Sequence, residues 1–303
     1  MLQPRTVKYL RFSATAVGVM AGLAACPALA VPFSFSTGDP DGKIATAALP
    51  AGGGLIETQT ADDFILSSQT SIDHASFTGL LTNGAGISDI NQVAVDIFRV
   101  FPNDSDTGRT PNVPTRLNSP ADAVFAGRDA AAGTLNFSVN LINNSFTANN
   151  SVLYGGIHPL PNPNTGGDGA VTGMEVQFDI SFTTALNLAA DHYFFAPEVG
   201  LNTGEFLWLS APKPIVPPGN PFVPDLQSWI RDANLSPDWL RIGTDIVGGS
   251  PAPTFNAAFS ISGDATGTGT GSIPEPSTLL LFSLGAAGMN VAAKRKKSQR
   301  RQK

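Results

Sequence analysis

Two short stretches carry the residue pattern that a hard cation would use. Asp39-Pro40-Asp41-Gly42 and Asp104-Ser105-Asp106-Thr107-Gly108 each place carboxylates at alternate positions ahead of a glycine. That spacing can turn two side chains toward one oxygen-rich loop, which suits calcium. Neither stretch continues into the twelve-residue EF-hand pattern with its terminal Glu, and Asp in a turn commonly caps its own backbone. Asp39, Asp41, Asp104 and Asp106 are therefore calcium candidates set against a plain turn reading, and calcium is the one cofactor the residues suggest. Transition-metal binding has less behind it. His74, His158 and His192 are far apart in sequence and share no ligand spacing.

Catalytic patterns are thin. Glycosidases need two carboxylates across a cleft, and a body this rich in acids offers too many pairs to choose between. Glu175, Glu198 and Glu205 are the rarer acid, and two of them fall at positions expected to be exposed on strands. There is no Gly-x-Ser-x-Gly elbow, and the only cysteine is Cys26, near the N-terminus. The expectation is a protein without catalysis, with a glycan hydrolase as a distant alternative. Sugar stacking is a further option, because Trp208, Trp229, Trp239 and Tyr193 could face pyranose rings if exposed. Their neighbours point instead to the core: Trp208 lies between Leu207 and Leu209, and Trp229 follows Leu226 at helical spacing.

Charge divides the chain into three. Basic residues cluster at both ends, while the body carries eight Lys and Arg against 23 Asp and Glu, a net of −15. Such a body lacks the cations that displace counterions from phosphates, which argues against a nucleic-acid partner. It also lacks cysteine, so a hydrophobic core must hold it; 42% apolar residues and 19 Phe are enough to build one.

The ends read as processing signals. Residues 1–30 have a basic start, an apolar stretch and a small-x-small site at Ala28 and Ala30, which sets a mature start at Val31. Signal peptidase and the general secretion machinery are the implied partners. A second reading takes Leu23-Ala24-Ala25-Cys26 as a lipoprotein box with Cys26 lipidated. At the other end, Pro274-Glu275-Pro276 precedes an apolar run from Leu279 to Ala293 and then Lys294-Arg295-Lys296-Lys297. The run is shorter than the ~20 residues of a stable membrane span, and its basic tail would stay cytoplasmic.

This C-terminal arrangement resembles the PEP-CTERM sorting signal of Gram-negative bacteria. The resemblance implies recognition of Pro274, Glu275 and Pro276 by exosortase, a membrane protease-transpeptidase. It also implies a transient inner-membrane anchor, removal of the tail, and delivery to the cell surface or extracellular polymer matrix. Thr60-Ala61-Asp62-Asp63-Phe64 resembles an "ADDF" stretch near the start of the globular region in such proteins. No chemistry attaches to it, and it serves here to mark a domain start.

The elements between these signals follow period 2, the mark of half-buried strands. Val93-Val95-Ile97, Leu135-Phe137-Val139-Leu141, Met174-Val176-Phe178-Ile180-Phe182 and Phe255-Ala257-Phe259-Ile261 each alternate with more polar or smaller residues. His192–Ala196 and Phe206–Leu209 are apolar on both faces and suit central strands. Only Asp225–Ala233 looks helical, with Asp225 as cap and Leu226, Trp229 and Ile230 in one stripe; Ser236-Pro237 suits a second helical start. The expected fold is an all-β antiparallel sandwich, jelly-roll-like, with one or two short helices, an N-terminal signal helix and a C-terminal hydrophobic sorting helix. The expected division is a signal peptide (1–30), one sandwich body (31–262), a Gly/Thr spacer (263–272) and the sorting signal (273–303). Together these predict an exported, surface-sorted structural or adhesive component, with a carbohydrate-binding module, calcium-dependent or not, as the alternative; extracellular polysaccharide would then be a partner.

Overall fold

The computed structural model describes residues 30–266. The expected signal helix and sorting helix lie outside them. Among the described residues, no helix is long and apolar enough to cross a membrane.

The alternating segments do form strands, arranged in two sheets. The larger is built around β4 (Thr70–Thr82), whose thirteen residues allow one side to pair with two strands in succession. Its first part pairs with β15 (Phe259–Thr266), which pairs in turn with β1 (Ala30–Ser36). Its last part pairs with β11 (Glu205–Ala211), followed by β2 (Ala45–Ala47) and β8 (Ser151–Val152). The other side of β4 pairs with β9 (Val171–Leu188), and β9 with the edge strand β7 (Leu135–Ala148). The short β14 (Asn256–Ala257) joins β11. All these pairs are antiparallel except β2 with β8. Gly79 of β4 is required where the ring of Phe206 crosses the strand, because a Cβ there would collide with that ring and with the Leu207 carbonyl.

The second sheet runs β13 (Leu240–Arg241), β12 (Trp229–Asp232), β3 (Thr58–Leu66), β10 (Asp191–Leu201), β5 (Ile90–Arg99), β6 (Ala126–Asp129). Apolar residues of the two sheets meet in one cluster. Phe64, Val93, Val95, Ile97, Tyr193 and Phe195 from the second sheet join Phe77, Phe178, Ile180, Phe206, Trp208 and Phe259 from the first. The rings of Phe195 and Phe259 stack between the sheets at 5.0 Å and 2°. Each such fully buried side chain is worth roughly 1.5–3 kcal/mol of transfer free energy.

Three expectations are corrected. Asp225–Ala233 is not a helix: its apolar part is strand β12, paired with Thr58–Ala61. Trp229 buries among Ala61, Phe98, Phe194 and Trp239, whereas Ile230 buries among Ile44, Val152, Leu235 and Leu240. Consecutive side chains that bury on opposite sides are strand behaviour, and the apparent helical stripe came from a strand apolar on both faces. Ser236-Pro237 lies in a turn. Among the described residues, the helical turns that do form are a 3-10 turn at Ile87–Asp89 and a π-helical turn at Ile242–Val247. The third correction is to the spacer: β15 continues to Thr266, so residues 263–266 are paired strand.

Candidate functional site

The chemically dense part of the body is the ADDF stretch, inside β3. Neighbouring residues of a strand point to opposite faces, so of two adjacent aspartates at least one must point inward. Here both are buried, Asp62 at 0% and Asp63 at 1% exposure. The Asp62 carboxylate accepts from Ser228 Oγ (3.1 Å) and the Ala257 amide (2.9 Å). Asp63 Oδ2 accepts from the Leu226 amide (3.1 Å) and lies 2.5 Å from His192 Nε2, while Asp63 Oδ1 is buried without a partner. Burial pushes both carboxyls well above their usual range, and the negative neighbours Asp63 and Asp225 add to this. Burial likewise pushes His192 down to about 4. Both shifts have one cause: removal from water disfavours the charged form of the carboxyl and of the imidazole alike.

Lys213 supplies the cation of this cluster. Its ammonium donates to the carbonyls of Asp225 (2.9 Å) and Leu226 (2.8 Å) and to Asn256 Oδ1 (3.0 Å), and lies 2.6 Å from Asp225 Oδ1. Above it opens a cleft of about 360 Å³ lined by Lys213, Pro214, Ile215, Phe222, Val223 and Asp225. Every donor of Lys213 is engaged, and the Asp62 and Asp63 carboxylates lie beneath the surface. Chemically the arrangement is a clasp that fixes the long loop between β11 and β12 onto β3.

A second acidic group lies on the same three strands. Asp96 of β5 and Glu198 of β10 share a face, since Ala196 pairs with Asp96 and Glu198 is two residues further on. Gln59 Nε2 donates to Asp96 Oδ2 (3.3 Å), and Arg231 Nε donates to Gln59 Oε1 (2.8 Å). Burial, only partly offset by Arg231, pushes Asp96 up to about 6. Burial and then the Asp96 charge push Glu198 up to about 7. Arg231 itself stacks on Trp239 (4.3 Å) and Phe98 (5.0 Å).

The sequence candidates lie elsewhere. Asp41 Oδ1 accepts from Ser210 Oγ (2.5 Å) and from the Lys43 amide, and Lys43 Nζ is 2.9 Å from Oδ2, so this carboxylate closes its own turn. Asp39 is exposed. Asp106 Oδ1 caps the Gly108 amide, and Asp104 faces Arg99 at 3.8 Å. Among the described residues no three His, Cys, Asp or Glu groups gather as a metal site would need. Trp208, Trp229 and Trp239 are 0–1% exposed, so none presents a ring face to a sugar. Glu175 and Glu205 are buried, not exposed on strands, and Glu205 Oε1 accepts from the Tyr154 amide. His192 is no lone histidine but the partner of Asp63. The two adjacent acids Asp62 and Asp63 were a signal of buried charge in β3, and not of the histidine that meets it. Cys26, Ala28, Pro274, Glu275 and Pro276 lie outside the described residues; Ala30 and Val31 open β1.

Comparison with known proteins identifies the C-terminal signal: residues 272–296 match the PEP-CTERM protein-sorting motif. The chain therefore carries the mark of an exported protein that is sorted by exosortase through a transient C-terminal membrane anchor. No curated protein and no solved structure matches it.

Proposed function

We propose that this chain is a surface-sorted protein without catalysis, whose body is a structural or adhesive component of the cell surface or extracellular polymer matrix. The observation that carries this reading is the sorting motif at residues 272–296, joined to a body whose buried charges hold loops in place. We take the two sheets as one jelly-roll-like sandwich, a reading supported by the Phe195–Phe259 stack between them. The glycan-binding alternative would have to use surfaces other than the three tryptophans, and no observation favours it.

Mass spectrometry of the protein recovered from the producing cells tests the route. The expected product starts at Val31 and ends near Pro274-Glu275-Pro276. An intact C-terminus on released protein would overturn the sorting reading, and a lipidated start at Cys26 would replace the expected N-terminus.

A further inference from the structure

Strand β7 departs from the rule that sheet edges are blunted. Natural edge strands are kept short, or carry charge or proline, or are covered. The opposite edge of the sheet, β1, is seven residues long and contains Pro32. β7 is fourteen residues long, reads Leu-Asn-Phe-Ser-Val-Asn-Leu-Ile-Asn-Asn-Ser-Phe-Thr-Ala, and has no charge and no proline. It pairs with β9 on one side only. Nearly all of it is exposed, including Phe137 (37%), Leu141 (46%) and Ile142 (55%). Its pairing with β9 is regular from Leu135 to Leu141, and register breaks confine the irregular part to residues beyond Leu141.

We propose that the Leu135–Leu141 edge pairs antiparallel with the same strand of a second copy of this chain, about a two-fold axis at Ser138. Self-pairing about an axis requires that the strand read sensibly against its own reverse. Centred on Ser138 it does. Phe137 falls opposite Val139 and Leu135 opposite Leu141 on the apolar face, while Asn136 falls opposite Asn140 and Ser138 opposite itself on the polar face. Aromatic against β-branched is among the favourable cross-strand pairs, and no like charges oppose each other. Two bodies of net −15 repel elsewhere; this uncharged strip is where they can meet. The pairing also extends the apolar row of Phe137, Val139 and Leu141, which the core leaves partly open; the Phe137 ring lies 6.4 Å from that of Phe178. This inference stands independently of the sorting route, since it uses only strands of the body.

The test uses the full chain in detergent micelles. Sedimentation should find a dimer, and Ser138→Lys should weaken it about tenfold or more, by setting two ammonium groups opposite each other. Ser138 is exposed and faces Asp179 on β9, so the substitution should leave the melting temperature of the monomer, measured at low protein concentration, unchanged. In a Cys26→Ser background, Ser138→Cys places two thiols at directly opposed positions, with Cα atoms about 4.5–5.5 Å apart, within disulfide range. Mild oxidation should link the two copies, whereas Ser88→Cys, exposed on a distant turn, should link far more slowly. A monomeric chain, a dimer indifferent to Ser138→Lys, or a Ser138→Cys variant that links no faster than the Ser88→Cys control would each overturn the proposal. Should the lysine variant unfold, the oxidation rates still decide it.

Discussion

Two charged regions lie on and around the six-stranded sheet, and they are wired in opposite senses. Over β5, the loop after it is clamped by matched charges. Asp238 is fully buried and accepts from both terminal nitrogens of Arg109 (2.8 and 2.7 Å) and from the Asn112 amide (2.7 Å), while Arg116 reaches Asp122 at 2.5 Å. Burial alone would raise the Asp238 carboxyl, but these bonds and charges override it and hold it below the usual range. In the central strands β3, β10 and β5 the acids outnumber their cations, and Asp62, Asp63, Asp96 and Glu198 are all pushed upward. Asp62, Asp63 and Asp238 are all closed to solvent, yet the first two are pushed up and the third is held down; of the three, Asp238 is the one with a bidentate guanidinium partner.

The contrast can be broken most severely at the clamp. Asp238→Ala removes the bidentate partner of Arg109, leaving it the longer contact to Asp122 at 3.5 Å, and should cost about 3–5 kcal/mol, the range for breaking a buried pair, seen as a lower midpoint in urea. Lys213→Met comes next. It leaves Asp225 and three acceptors unpaired and should cost about 2–3 kcal/mol, with faster limited proteolysis between Pro214 and Val223. A midpoint unchanged by Lys213→Met would show that the clasp does not hold the loop.

The central acids make a prediction with the other sign. A carboxyl whose folded pKa is raised gives stability at low pH that is lost as pH rises from the unfolded value toward the folded one. For Glu198 that window runs from 4.5 to about 7. Glu198→Gln should therefore stabilise the fold by about 3 kcal/mol at pH 8, and by almost nothing at pH 4, in thermal melts at the two pH values. The smallest effect belongs to His192. Its lowered value means stability present above 6.5 and lost as pH falls toward about 4. His192→Gln should cost about 1 kcal/mol at neutral pH and flatten that acid limb. A limb as steep as the wild type's would remove His192 from the account.

The strands could be read from sequence because one face of each had to be apolar, as in Val93-Val95-Ile97 and Val176-Phe178-Ile180. Residues 225–233 were misread because a short strand apolar on both faces contains the i, i+3 and i+4 positions of a helix by accident. Pairing across the chain was not legible at all. Nothing local to His192 announces Asp63, 129 positions away, and nothing local to Arg109 announces Asp238, also 129 away. Trp208 illustrates the reverse case, where its apolar neighbours Leu207 and Leu209 foretold its burial; Trp229 is buried too, but in a strand and not in the helical stripe. Leu135–Leu141 has the alternation of a buried strand, yet only Leu135 is buried, because alternation states which side is apolar and not whether anything covers it.

The pairing of β1 with β15 sets Ala30 beside Thr266 and Val31 beside Ala265, so both ends of the body emerge at one corner. That arrangement has a mechanical consequence. A body tethered through its C-terminal end takes load at Thr266, the last residue of β15. This strand lies between β1 and β4, and a pull along it must slide two ladders of backbone bonds together instead of peeling them one at a time.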